Sequence, residues 1–363
     1  MTRLLLVLSL MVISACAGSS PAGLSTPTSA VTTTDTSTVT TTTTAASPTL
    51  PNGSRLFEVN GHRLHVRTLG SHANQPAIVL LSGPTDHWHA DSGWFALLQP
   101  LLARQFRVHA IDRAGHGFSD IVAGASYASF AEDLALLLPQ LEEQPVVVIA
   151  FASANLAVMP LLAKTGNTRV RAVLLIDPDA LHPALIRFYA DQSAPFKDAE
   201  QLSAYVSAGK YDARAHGFYD EERAHLAALL PEALQAEMDW PFYEAVAKQR
   251  LDRARILARF AETARYDADV SNAAALTWPA AVPVWSYDTD FELSAIESAT
   301  DPAEKAKLAD WRRLGTDWMQ NLPGHCRQAS ASHEHLATVA EADRLLSLIA
   351  QLARSPDCPA ETR

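Results

Sequence analysis

Apolar and polar residues follow two rhythms along this chain. RLFEVNGHRLHVRTLG (Arg55 to Gly70) alternates with a period of two on either side of Asn60-Gly61, which predicts two strands joined by a tight hairpin. PAIVLLSG (Pro76 to Gly83), FRVHAID (Phe106 to Asp112), PVVVIA (Pro145 to Ala150) and VRAVLLID (Val170 to Asp177) are short continuous apolar runs. Such runs suit parallel strands covered on both faces. Helical spacing falls between them: around Trp94 to Arg104, over DLALLLPQL after a capping box at Ser129 to Glu132, and from Asn155 to Lys164. Strand and helix alternating in this way predict an α/β fold with a doubly wound, mostly parallel sheet.

The alternation breaks after about Ala180. Up to Trp278 only helical patterns occur, among them EERAHLAALLPEALQAEM and YEAVAKQRLDRARILARFAETA, with aromatic residues such as Phe188, Tyr189, Tyr211, Trp240 and Tyr243 scattered through them. The rhythm resumes with VPVWSYDTD, a helix near Pro302 to Gln320, a strand at HCRQASAS and a closing helix, ATVAEADRLLSLIAQLAR. A helical insertion of this kind is expected to cap the C-terminal strand ends, where such sheets bind ligands. Most of its aromatic residues are expected to pack the core. The expected division is a core of residues 53–179 and 279–356 and a helical cap of residues 180–278.

The first residues change the picture. MTRLLLVLSLMVISAC has one arginine before an apolar run, Leu4 to Ile13, too short to span a bilayer as a mature helix. Its end, Ile13-Ser14-Ala15-Cys16, resembles the lipobox of bacterial lipoproteins. That resemblance implies a signal peptide (1–15), lipidation of Cys16, and a protein carried across the inner membrane and anchored at its periplasmic or cell-surface face. Residues 16–52 are rich in Thr, Ser and Pro and poor in large apolar side chains, so a disordered tether is expected. A formal net charge of −11 argues against nucleic acid as a partner. Of the three cysteines, Cys326 and Cys358 remain as a pair for an oxidising compartment, expected as a disulfide with two unpaired thiols as the alternative.

The chemistry is carried by a few stretches. AIDRAGHGFSD (Ala110 to Asp120), together with the strand order, resembles the α/β-hydrolase superfamily, in particular its esterases, iminopeptidases and peroxidase-like members. The resemblance runs from about Arg55 to Arg354 and implies an α/β-hydrolase fold with a small-molecule substrate or ligand and no cofactor. In that family a nucleophile sits on a strained turn between strand and helix, with small residues two before and two after it. In VVVIAFASANLAV that register centres on Ala152, flanked by Ala150 and Ala154. Centring it on Ser153 puts Phe151 and Asn155 at the small positions. The resemblance places the base at His333, with His335 as runner-up, and the acid at Asp290, with Asp288 as runner-up. The oxyanion region falls at Ser82, Gly83 and Pro84; proline has no N–H to donate, and the Thr85 amide or the Ser82 hydroxyl are the substitutes on offer. DHWHAD (Asp86 to Asp91) holds two histidines beside two aspartates. Adjacent loop residues rarely converge on one ion, so it is read as a solvated loop at the pocket rim and no metal site is expected.

Two readings follow. One is an esterase-like serine hydrolase acting on a small ester or amide, with Ser153 as a nucleophile displaced by one residue and Asp290 and His333 completing the set. The other is a relative that has lost or changed the chemistry, either a small-molecule-binding lipoprotein or an enzyme working through a histidine alone.

Overall fold

Both rhythms fold into one eight-stranded sheet. The computed structural model describes residues 49–71, 75–84, 89–322, 326–330 and 332–358. The expected signal segment, Cys16 and the tether up to residue 48 lie outside the described residues. The strands are β1 (Ser54–Val59), β2 (His62–Leu69), β3 (Ile78–Ser82), β4 (Val108–Ile111), β5 (Val146–Phe151), β6 (Val170–Ile176), β7 (Val284–Asp288) and β8 (Cys326–Ala329). Their order is β1-β2-β4-β3-β5-β6-β7-β8. β2 pairs antiparallel with β1 and with β4, and all other pairs are parallel. This is the doubly wound, mostly parallel sheet that the strand and helix rhythm predicts.

The central strands are apolar on both faces because both faces are covered. Along β5, Val147, Ile149 and Phe151 enter one core with Phe106, Trp285 and Leu345, while Val146, Val148 and Ala150 enter a second with Tyr127, Leu134 and Val158. The hairpin turn puts Asn60 at φ 48° and Gly61 at φ 80°, the left-handed pair that matches strand twist.

Three boundaries differ from the sequence expectation, each for a local reason. The helix expected to open at Ser129 begins at Tyr127, with Ser126 as its cap and Ser129 as the reciprocal partner. Asp269 accepts from the Tyr127 and Ala128 amides, so a distant carboxylate completes the cap. Both long helical patterns of the insertion are divided. Asp212–Leu229 stops before Pro231, and Asp252 opens Arg253–Thr263 after Trp240–Gln249 has ended. The closing pattern splits into Ala337–Ala340 and Ala342–Arg354 around Glu341, which leaves helical geometry at φ −126°. Cys326, at the start of β8, and Cys358, past the last helix, form a disulfide with Cα atoms 5.4 Å apart.

Helices between β6 and β7 lie over the C-terminal strand ends and are fixed there by buried ion pairs. Arg250 grips Asp91 with Nε and Nη2 (2.6 and 2.8 Å) and also pairs with Glu222. Arg113 grips Glu262 the same way (2.9 and 2.8 Å), and His116 bonds the same carboxylate at 2.8 Å. His89 Nδ1 lies 2.8 Å from Glu222. The expectation of a solvated loop at DHWHAD is therefore corrected at its described end: His89 and Asp91 are buried, held by cap residues. Asp86 and His87 lie outside the described residues. No cluster able to hold a metal occurs among the described residues.

Candidate active site

Strand ends β3, β5, β6, β7 and β8 converge under the cap on a cavity of about 260 Å³. At the end of β5 the backbone turns left-handed at Ala152, φ 49°, and runs through a short turn, Ala152–Ala154, into the helix Asn155–Thr165. A non-glycine residue there costs on the order of 1–2 kcal/mol, so its surroundings must impose the turn. Crowding explains the glycine packed against this turn. A Cβ on Gly83 would lie 2.3 Å from the Ser153 nitrogen and 2.6 Å from that of Ala154. The tip of the elbow is thus a methyl group.

Ser153 follows the tip and lines the cavity. Its Oγ sits 2.6 Å from the Tyr266 hydroxyl, which in turn donates to the Asp179 carboxylate. Asn155 brackets the Asp179 backbone, donating to its carbonyl (2.8 Å) and accepting from its amide (3.2 Å). Burial pushes the Asp179 carboxyl above its ordinary range, against the pull of the Ser153 and Tyr266 hydroxyls.

The histidine at the cavity is His335. Its Nδ1 lies 2.8 Å from Asp177 Oδ2, and both residues line the cavity. Asp177 directly follows β6 in a left-handed conformation, φ 44°. Thr289 also donates to it, through the amide at 2.7 Å and the hydroxyl at 2.6 Å. Burial raises the Asp177 carboxyl, and the bonds from His335 and Thr289 oppose that rise. The imidazole packs between the Phe151 ring (centroids 5.0 Å apart) and the Phe291 ring (4.4 Å). A carboxylate that fixes a cavity-facing imidazole can hold it in one tautomer and steady its cation once it takes a proton.

The placement expected for His333 and Asp290 is corrected. His333 does not line the cavity; its side chain is 40% exposed and its Nδ1 is 3.9 Å from Asp290. Asp290 is held by both edges of the Arg312 guanidinium, with Nη2 to Oδ2 at 2.8 Å. Asp288 reaches the cavity wall but is bound by Arg327. The cause lies in the loop after β8. Ser330 and Ser332 both donate to Glu341, which draws that stretch toward the last helix and delivers His335, three residues past Ser332, to the strand ends.

The oxyanion region is also occupied. The Gly83 amide donates to the Phe151 carbonyl at 2.7 Å. The Ser82 hydroxyl donates to the Asp91 carbonyl at 2.9 Å, so it does not replace the donor absent from Pro84. Thr85 lies outside the described residues.

Reading the sequence missed Asp177, Asp179 and Glu292. A signal existed for the first two, because IDPD closes an apolar run and strand ends are where this fold places ligands. For Glu292 there was none. Its carboxyl lines the cavity, and burial, reinforced by Asp177 and Asp288, raises it to about 8. Among the insertion aromatics, Phe188 and Tyr189 wall the cavity, while Phe242 and Tyr243 pack the core as expected.

A family model described as alpha/beta hydrolase fold matches residues 76–290. The 2-heptyl-3-hydroxy-4-quinolone dioxygenase of Rhodococcus erythropolis is 32% identical over 125 residues, which covers 34% of this chain and 44% of that protein. An epoxide hydrolase of Vigna radiata superposes with a TM-score of 0.57 at 16% identity, over 83% of this chain and 97% of that one. An alpha/beta hydrolase fold protein of Burkholderia ambifaria superposes with a TM-score of 0.52 at 21% identity, over 83% and 98%.

Proposed function

The chain belongs to the α/β-hydrolase fold family, and from that premise we propose that it is an enzyme in which a histidine moves a proton and no serine attacks. The observation that carries this reading is the 2.8 Å contact between His335 and Asp177 in a cavity whose elbow tip is Ala152. A methyl cannot become a covalent nucleophile. Ser153 is one residue past the tip and its hydroxyl is engaged by Tyr266. The two amides that follow β3 in this fold offer little: one is bound to Phe151 and the other is replaced by proline. The nucleophile that would make a tetrahedral intermediate and one amide that would hold it are therefore missing, while His335 and Asp177 stand in place to serve as base and orienting acid. His335 would remove a proton from an O–H or C–H of a small substrate, or from a water, with Asp177 stabilising the imidazolium. The partial relative from Rhodococcus is named for a dioxygenase reaction on a hydroxyquinolone, which supports a use of this scaffold other than ester hydrolysis.

Restoring the missing atom tests the reading. Ala152→Ser should react with a fluorophosphonate probe at residue 152. Labelling should fall by about a thousandfold or more on adding His335→Ala, and persist with His333→Ala. An adduct on Ser153 in the natural chain would overturn the proposal in favour of a serine hydrolase.

The same proposal places the enzyme at a membrane face, held by a lipid on Cys16 and the tether after it; the apolar run and the Ile-Ser-Ala-Cys sequence support this. Palmitate incorporation lost on Cys16→Ala is the expected result, and unchanged incorporation would refute the anchor.

A further inference from the structure

The walls of the cavity indicate the charge of the molecule it takes. Six carboxyl side chains line it, against one lysine and His335. Asp288 is bound by Arg327 and Asp177 by His335. Asp179 and Glu292 differ, because no ion pair reaches either of them among the described residues. Asp179 has hydroxyl partners, and no side-chain donor among the described residues hydrogen-bonds to Glu292. Half-buried carboxyls in a cavity wall lose part of their hydration and so attract a positive charge that answers them. Lys307 is exposed, and its Nζ lies over the Phe188 ring at 4.8 Å.

Between these carboxyls runs an unbroken belt of rings. Tyr266 and Tyr189 are 5.9 Å apart between centroids, Tyr189 and Phe188 5.7 Å, Phe188 and Trp311 5.1 Å, Trp311 and Phe291 5.8 Å. Phe291 then meets His335 at 4.4 Å. Ring faces carry negative potential and hold alkylated ammonium groups well, and the Lys307 contact shows one of these faces already taking a cation.

We propose that the cavity takes a small organic cation, an ammonium bearing apolar substituents, seated between Asp179 and Glu292 with its alkyl groups against the aromatic belt. That this molecule is a substrate rests on the proton-transfer reading; that it binds does not. The charge also serves that chemistry. A cation held beside His335 makes a neighbouring C–H or O–H of the same molecule more acidic, in the direction a histidine base needs. An anionic substrate would meet repulsion from the wall instead.

The test compares phenyltrimethylammonium with its neutral isostere tert-butylbenzene, by calorimetric titration into the full chain. The expected result is at least about tenfold tighter binding of the cation. That preference should be lost in Glu292→Gln and in Asp179→Asn, with thermal melts confirming that the variants fold. Equal binding of the two probes would overturn the inference, as would no binding of the cation, or folded variants that keep the preference. The measurement needs no turnover. A missing cation preference alongside an intact His335-dependent adduct on Ala152→Ser would sink this inference alone, and the reverse pair of results would sink only the proton-transfer reading.

Discussion

Two groups of carboxyls, one in the cap anchor and one at the cavity, meet different partners. In the cap anchor, burial alone would raise Glu222 and Glu262, yet Arg250 with His89, and Arg113 with His116, hold them far below the ordinary range. The arginines are themselves driven up, despite burial, by the acids they face. At the cavity, burial acts on Asp177, Asp179 and Glu292 with no arginine ion-paired to any of them among the described residues, and all three are raised. The difference lies chiefly in the partner supplied. Where a guanidinium is built in, the carboxylate fastens two parts of the chain. Where none is, the site keeps unspent electrostatic attraction that a proton or a ligand can use.

The largest effect should come from breaking the anchor. Arg250→Met leaves Asp91 and Glu222 buried without their cation and should cost about 3–5 kcal/mol, measured by denaturant unfolding. A loss below about 1 kcal/mol would mean that the cap is held by its apolar contacts instead.

A smaller effect, of opposite sign with pH, should separate the two groups. Glu222 and Glu262 have depressed pKa values, so their stabilisation is present above the unfolded carboxyl range and is lost as pH falls below it. Glu292 is raised from 4.5 to about 8, so the folded protein holds its proton where the unfolded chain does not. Stability tied to that proton is present below about 4.5 and is lost as pH rises through 8. Glu292→Gln should flatten this alkaline decline while leaving the acid side unchanged, as read from melting temperature against pH. An unchanged alkaline limb would place the charge elsewhere.

The smallest effect expected is at the elbow. Ala152→Gly removes the Cβ from a left-handed residue and should stabilise by no more than about 1 kcal/mol, since glycine also gains freedom in the unfolded chain. A clear destabilisation would show that the methyl packs in the core more than it strains the turn.

The sheet was legible from the chain because a strand buried on both faces must be apolar throughout, as β5 and β6 are. The position of the elbow was legible too, since Ala150 and Ala154 mark the crowded neighbours of a strained turn whatever stands at its tip. By contrast, the choice of acid and histidine was not. Asp177 and Asp290 each follow a strand, and His333 and His335 lie two apart in one loop, so local spacing rates them alike. Arg312 took Asp290 out of contention, and Glu341 drew the loop so that His335 reached Asp177.

Glu292 shows the same limit more sharply. In sequence it is one acidic residue among forty in a chain of net charge −11. Only the packing of Pro302–Gln320 and the strand ends around it makes it a carboxyl facing a cavity. By itself the sequence determined the layers of this protein and the residue at the elbow tip, because periodicity and steric crowding act between near neighbours. The tertiary structure decided which charges met, because an ion pair such as Arg250 with Asp91 joins residues 159 positions apart, and no local pattern encodes that distance.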